Sequence, residues 1–173
     1  MTTPLVLTDS LCEALFAEAR AAFPREACGV IVGPPGEPAA LRFVRFDNLQ
    51  DQLHAQDPEA HPRDARTAYA MHPLKLQRLV DAAEARGHAL VAIAHSHPDH
   101  PAYFSRTDQT AAAPWGTPTY PQTTQLVVSV FGGEVRDLKG FAWDGQGWAE
   151  RPLAGVPALP GPPPGARIYS EDV

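Results

Sequence analysis

Ala89-Leu90-Val91-Ala92-Ile93-Ala94-His95-Ser96-His97-Pro98 is an unbroken apolar run that ends in two histidines and a proline. Six apolar residues are too few for a helix and suit a central strand buried on both faces. Side chains alternate along an extended backbone, so residues two apart point the same way, and His95 and His97 present two imidazoles from one side of the strand end. Pro98 lacks a backbone N–H and stops the strand there.

Upstream, Pro73 suits the first position of a helix, Leu76, Leu79, Val80 and Ala83 form one face, and Gly87 sits where a C-terminal cap belongs, which predicts a helix over 73–86. The stretch 48–72 is polar and aperiodic, broken by Asp57-Pro58 and His61-Pro62, and reads as a long loop with one short strand near 67–70. Before it, the β-branched run 28–32 ends at Gly33-Pro34-Pro35-Gly36 and reads as a buried strand, with 41–46 as its hairpin partner. Ser10-Leu11-Cys12-Glu13 reads as a capping box, and the apolar spacing after it predicts a helix over 11–23 that stops at Pro24.

Downstream, 105–113 reads as a short helix, and 125–131, 135–143 and 148–152 as strands of a meander joined at Gly132-Gly133 and Gly145-Gln146-Gly147. The fold class is therefore α/β: a mixed, curved sheet with two helices packed on it and the short third helix beside the histidines. Residues 1–152 form one domain. Residues 153–173 are a proline-rich C-terminal tail without a core of its own, since five prolines fall within 157–164.

Composition narrows the function classes. The chain has 173 residues, 44% apolar and 20% charged, as expected of one folded domain. Its net charge of −6, with no dense basic run, argues against nucleic acid as a partner, because phosphate neutralisation supplies most of that affinity. No apolar stretch is long enough for a membrane span and none near the start resembles a signal peptide. Cys12 and Cys28 are too few for a disulfide framework, so a reducing compartment fits, and the expected localisation is cytoplasmic.

Past Pro98, a turn back would let Asp108 bring a carboxylate to the two imidazoles. Two histidines and one carboxylate leave a tetrahedral zinc position open for water, which is what separates catalytic from structural zinc sites. Competing readings stand beside this one. Ser105-Arg106-Thr107-Asp108 is also a capping box, the favoured reading of that segment taken alone. Glu26 taken alone is a solvated loop charge, and Cys28 in an apolar strand is inert packing rather than a ligand or nucleophile. His54, His61, His72, His88 and His100 lack the paired spacing, although His100 is close enough in sequence to line a site.

The segment from His95 to Asp108 resembles the signature of the JAMM (MPN+) zinc metalloprotease family: H-x-H-P, six residues, then S-x-x-D. The family also uses a glutamate between its first helix and the next strand, and Glu26 in Pro24-Arg25-Glu26-Ala27-Cys28-Gly29 looks like it. The likeness spans about residues 5–148 and implies a cytidine-deaminase-like JAMM/MPN architecture in a bacterial single-domain member. It implies that His95, His97 and Asp108 bind Zn2+, that Glu26 is the general base for water, and that Ser105 assists the oxyanion. The same ligands also suit iron or manganese.

The resemblance further implies hydrolysis of an amide at the C-terminal tail of a ubiquitin-like or sulfur-carrier protein. The segments 48–72 and 114–121 flank the site in sequence and are expected to grip that tail. No Cys or His occurs in 114–124, so no second structural zinc is expected and specificity for ubiquitin chains is not implied. Three alternatives remain: a metallopeptidase for small or cell-wall peptides, a nucleic-acid-processing relative, which the net acidity disfavours, and a non-catalytic MPN scaffold module. A homodimer is left open.

Overall fold

The computed structural model describes residues 2–168. In chain order its elements are β1 (Leu5–Val6), α1 (Asp9–Ala22), β2 (Cys28–Gly33), β3 (Arg42–Phe46), α2 (Gln50–Gln56), α3 (Pro73–Glu84), β4 (Ala89–Pro98), α4 (Arg106–Ala112), β5 (Thr124–Phe131), β6 (Glu134–Trp143), β7 (Trp148–Arg151) and β8 (Leu153–Ala154), with one 3-10 turn at Pro38–Ala40.

The apolar run does form the central strand, and it extends through both histidines. β4 pairs antiparallel with β2 and parallel with β5, and the six strands lie in the order β3-β2-β4-β5-β6-β7. The single parallel pair makes the sheet mixed, and parallel neighbours need a long crossover, which here carries α4. The β2–β3 hairpin and the β5-β6-β7 meander are as the sequence predicts.

α1 covers one face. Leu11, Cys12, Leu15, Phe16 and Ala19 are buried at helical spacing against Ile31, Ala92, Ala94, Leu126, Val128 and Val130. On the opposite face, Leu76, Leu79 and Val80 of α3 pack against Val30, Leu90 and Ile93. Each large apolar side chain so buried contributes about 1.5–3 kcal/mol, which outweighs the weak intrinsic helicity of such short segments.

Three sequence expectations need correction. The α1 cap is Thr8, whose Oγ1 accepts the Leu11 N–H at 3.3 Å, rather than Ser10, so the helix begins at Asp9. The segment 67–70 forms no strand; a turn ends at Thr67 and the chain continues without regular structure. The stretch read as a loop holds α2, whose one branched apolar residue, Leu53, gives no periodic signal.

The sequence also gives no hint that β1 and β8 pair in parallel, Leu5 opposite Leu153. From there the proline-rich segment lies along the domain: Val156 and Leu159 pack on the α1 side, and Gly161 exchanges hydrogen bonds with Arg136. Residues 169–173, the end of that segment, lie outside the described residues. Among the described residues no helix is long and apolar enough to cross a membrane.

Candidate metal centre

His95 and His97 continue the sheet face that carries Ile93, and both are buried at the C-terminal end of β4. Asp99 adopts a positive φ of 55° just after the strand, donates its N–H to Val130 O and accepts from Gly132 N, which turns the chain back toward α4. Ser105 then caps α4. The Asp108 N–H donates to Ser105 Oγ at 3.0 Å and the Ser105 N–H donates to Asp108 Oδ2 at 3.1 Å, so the capping box is real.

The cap and the site coincide. The same Asp108 Oδ2 lies 3.1 Å from His95 Nε2 and 3.2 Å from His97 Nε2, and the two Nε2 atoms are 3.2 Å apart. Two ligand atoms bound to one tetrahedral zinc at its usual bond lengths stand about 3.3 Å apart, so the triangle has the right size for such an ion. His97 Nδ1 faces the Pro101 carbonyl at 2.9 Å, and a carbonyl only accepts, so Nδ1 carries a hydrogen and Nε2 is the ring nitrogen turned toward Asp108. His95, His97 and Asp108 could hold a metal ion, and Cys28 is not part of the group.

Burial pushes the Asp108 carboxyl up, but the neighbouring imidazoles of His95 and His97 outweigh it and hold the group well below the usual carboxylate range. Tyr69 stacks on His95, ring centroids 4.5 Å apart and planes 20° from parallel. Burial, followed by the charges of Asp108, Cys28 and Glu26, pushes its phenol well above the ordinary value, so the hydroxyl stays protonated. His95 Nδ1 is buried without a hydrogen-bond partner among the described residues, so the Tyr69 ring and the contacts at Nε2 are what orient that imidazole.

Glu26 is 2% exposed, so it is no solvated loop charge. Its N–H donates to Ala65 O at 2.6 Å, and its carbonyl accepts from Asn48 Nδ2 at 3.0 Å. Asn48 also reaches Ala68 O and accepts the N–H groups of Gln50 and Ala70, while Asp51 accepts from Ala65 N and Arg25 Nε. The polar segment is therefore a cradle for Glu26. Ser96, between the two histidines, ties the next residue to the strand: its Oγ accepts the Ala27 N–H at 2.7 Å and its own N–H donates to Ala27 O at 3.0 Å. The Glu26 charge is felt at both Cys28 and Tyr69.

Of the remaining histidines, His72 caps α3, His54 Nδ1 meets His61 O, and His100 Nδ1 meets Pro98 O. Tyr69, Asn48 and Asp51 were not legible as site residues. The one available signal was Tyr69 itself, the only Phe, Tyr or Trp between Phe46 and Tyr103 in a stretch with no other apolar anchor of its size.

Comparison with known proteins identifies the family. The profile of the prokaryotic homologs of the JAB domain matches residues 8–144. The CysO-cysteine peptidase of Mycobacterium tuberculosis is 30% identical over 137 residues, covering 79% of this chain and 81% of that one. Two solution structures share the fold: protein DSY2949 from Desulfitobacterium hafniense, with TM-score 0.65 and 23% identity over 90% of this chain and 94% of that one, and a protein from Salinibacter ruber, with TM-score 0.57 and 22% identity over 98% of each.

Proposed function

The chain belongs to the family of prokaryotic homologs of the JAB domain, and from that premise we propose that it is a zinc-dependent peptidase or isopeptidase that hydrolyses an amide bond at the C-terminal tail of a ubiquitin-like or sulfur-carrier protein. The observation that carries this reading is the convergence of three buried ligand atoms, each 3.1–3.2 Å from the others. The relative named CysO-cysteine peptidase supports the class of substrate.

His95, His97 and Asp108 are the residues that would hold the ion. When bound there, zinc supplies Lewis acidity, which polarises an amide carbonyl and acidifies water. Glu26 takes a proton from the attacking water and returns it to the departing amine, a role worth about 10²–10⁴ in rate. Ser105 Oγ already accepts the Asp108 N–H, so its own proton is left to donate to the carbonyl oxygen as charge develops there. Ser96 and Asn48 keep the Glu26 segment against the histidine strand.

The test is incubation of the purified protein with a sulfur carrier extended beyond its Gly-Gly tail and with plain peptides, each with and without chelator, alongside elemental analysis. Cleavage after the tail that stops with chelator and returns with zinc is the expected result. Cleavage of plain peptides alone would transfer the reading to a small-peptide metallopeptidase, and cleavage of neither would make the chain a scaffold module.

A further inference from the structure

A cleft of about 540 Å³ opens beside the metal group, between the start of α3 on one wall and α4 with Thr119 and Tyr120 on the other. Its floor is built from Ile93 and Gln125, which are register partners on β4 and β5 just as His95 and Val127 are. Ile93 precedes His95 by two residues on the same face, a rise of about 7 Å. Tyr69 belongs to both places, lining the cleft and stacking on His95. An extended peptide laid along this face has the same repeat, so a side chain two or three residues from the reacting carbonyl reaches the cleft.

Two features say which part of a substrate fits. None of the twelve residues lining the cleft is charged. A released amino acid carries a free α-carboxylate close to the scissile bond, and a buried carboxylate needs a cation. The cleft therefore suits the acyl tail rather than the leaving group. Gln125, meanwhile, is 3% exposed, and its Oε1 is buried with no hydrogen-bond partner among the described residues. An unpaired buried acceptor is costly unless something else supplies the donor, and a tail backbone N–H is one. The volume falls within the range of about 300–1,000 Å³ usual for small-ligand sites.

We infer that this cleft is a neutral specificity pocket, which receives an uncharged side chain of the acyl tail while Gln125 accepts a hydrogen bond from the tail backbone. This rests on the peptidase reading above. The test uses three tail-extended carriers with Leu, Lys or Glu at the third residue before the scissile bond, the full-length protein, and its variants Gln125→Leu and Ala112→Arg. Ala112 is a partly exposed residue at the end of α4, so the arginine tests the pocket without a buried change.

The wild type should cleave the Leu carrier with kcat/KM about tenfold above the other two, the worth of one such contact. Ala112→Arg should lift the Glu carrier above the Lys carrier, and Gln125→Leu should raise KM about tenfold with kcat unchanged. A labelled tail peptide should show the same order of affinities on the zinc-free protein. Equal kcat/KM for all three carriers, or an unchanged order in Ala112→Arg, would overturn the pocket and leave the peptidase reading standing. Selective peptide binding without cleavage of any carrier would overturn the peptidase reading and keep the pocket.

Discussion

Ser96 and Ala27 are joined twice, by the Ala27 N–H on Ser96 Oγ at 2.7 Å and by the Ser96 N–H on Ala27 O at 3.0 Å. The residue between the two candidate ligands thus fastens the backbone next to the candidate base. Ser96→Ala leaves the Ala27 N–H buried without its partner, at a cost of about 1–3 kcal/mol in urea unfolding. Zinc content should stay at the wild-type value while kcat falls, because the change reaches Glu26 and not the ligands. Unaltered kcat would mean that this link does not set the Glu26 position.

Ser105 carries two roles that one pair of variants separates. Ser105→Ala loses the cap of α4, worth about 1 kcal/mol, and also the proposed donor, worth about 10²–10³ in kcat. Ser105→Thr keeps a hydroxyl and should recover most of both. If Ser105→Ala lost stability but kept its rate, Ser105 would be a cap alone.

Tyr69 stacks on the His95 ring, whose Nδ1 has no hydrogen-bond partner among the described residues. Tyr69→Ala should weaken zinc about tenfold in competition with a chromophoric chelator, as loss of a ligand-orienting contact commonly does. Tyr69→Phe keeps the ring and should bind zinc like the wild type. Equal affinities for all three proteins would remove Tyr69 from the site.

Cys28 is held as a thiol. Burial, then the charge of Glu26, pushes it up to about 12, so the protonated form persists through neutral pH and thiolate appears only as pH nears that value. At pH 8 the thiolate fraction is about 10⁻⁴, and iodoacetamide should not label Cys28 until the protein is unfolded. Cys28→Ala should keep full zinc. Rapid native labelling, or loss of metal in the variant, would contradict this.

The sheet and the metal group were legible because they rest on local pattern: an apolar run, alternate histidines and a capping box each announce themselves within a few residues. The Glu26 cradle was not. α2 has no amphipathic period and is held from outside itself, by Gln50 on Arg63 O, Asp51 on Ala65 N and His54 on His61 O. β1 and β8 are two residues each and meet across nearly the whole chain, so no window of sequence contains both. Asp108 shows why weighing two readings against each other can mislead, since one carboxylate oxygen both caps the helix and faces the histidines.

Turnover of a tail-extended sulfur carrier by Glu26→Gln, with zinc counted in the same sample, tests the proposed chemistry most directly. The amide keeps the shape of the side chain and removes its basicity. One zinc per chain with a rate lowered about 10²–10⁴-fold is expected. A variant that holds full zinc and still turns over within a few-fold of the wild type would contradict the assignment of Glu26 as the base.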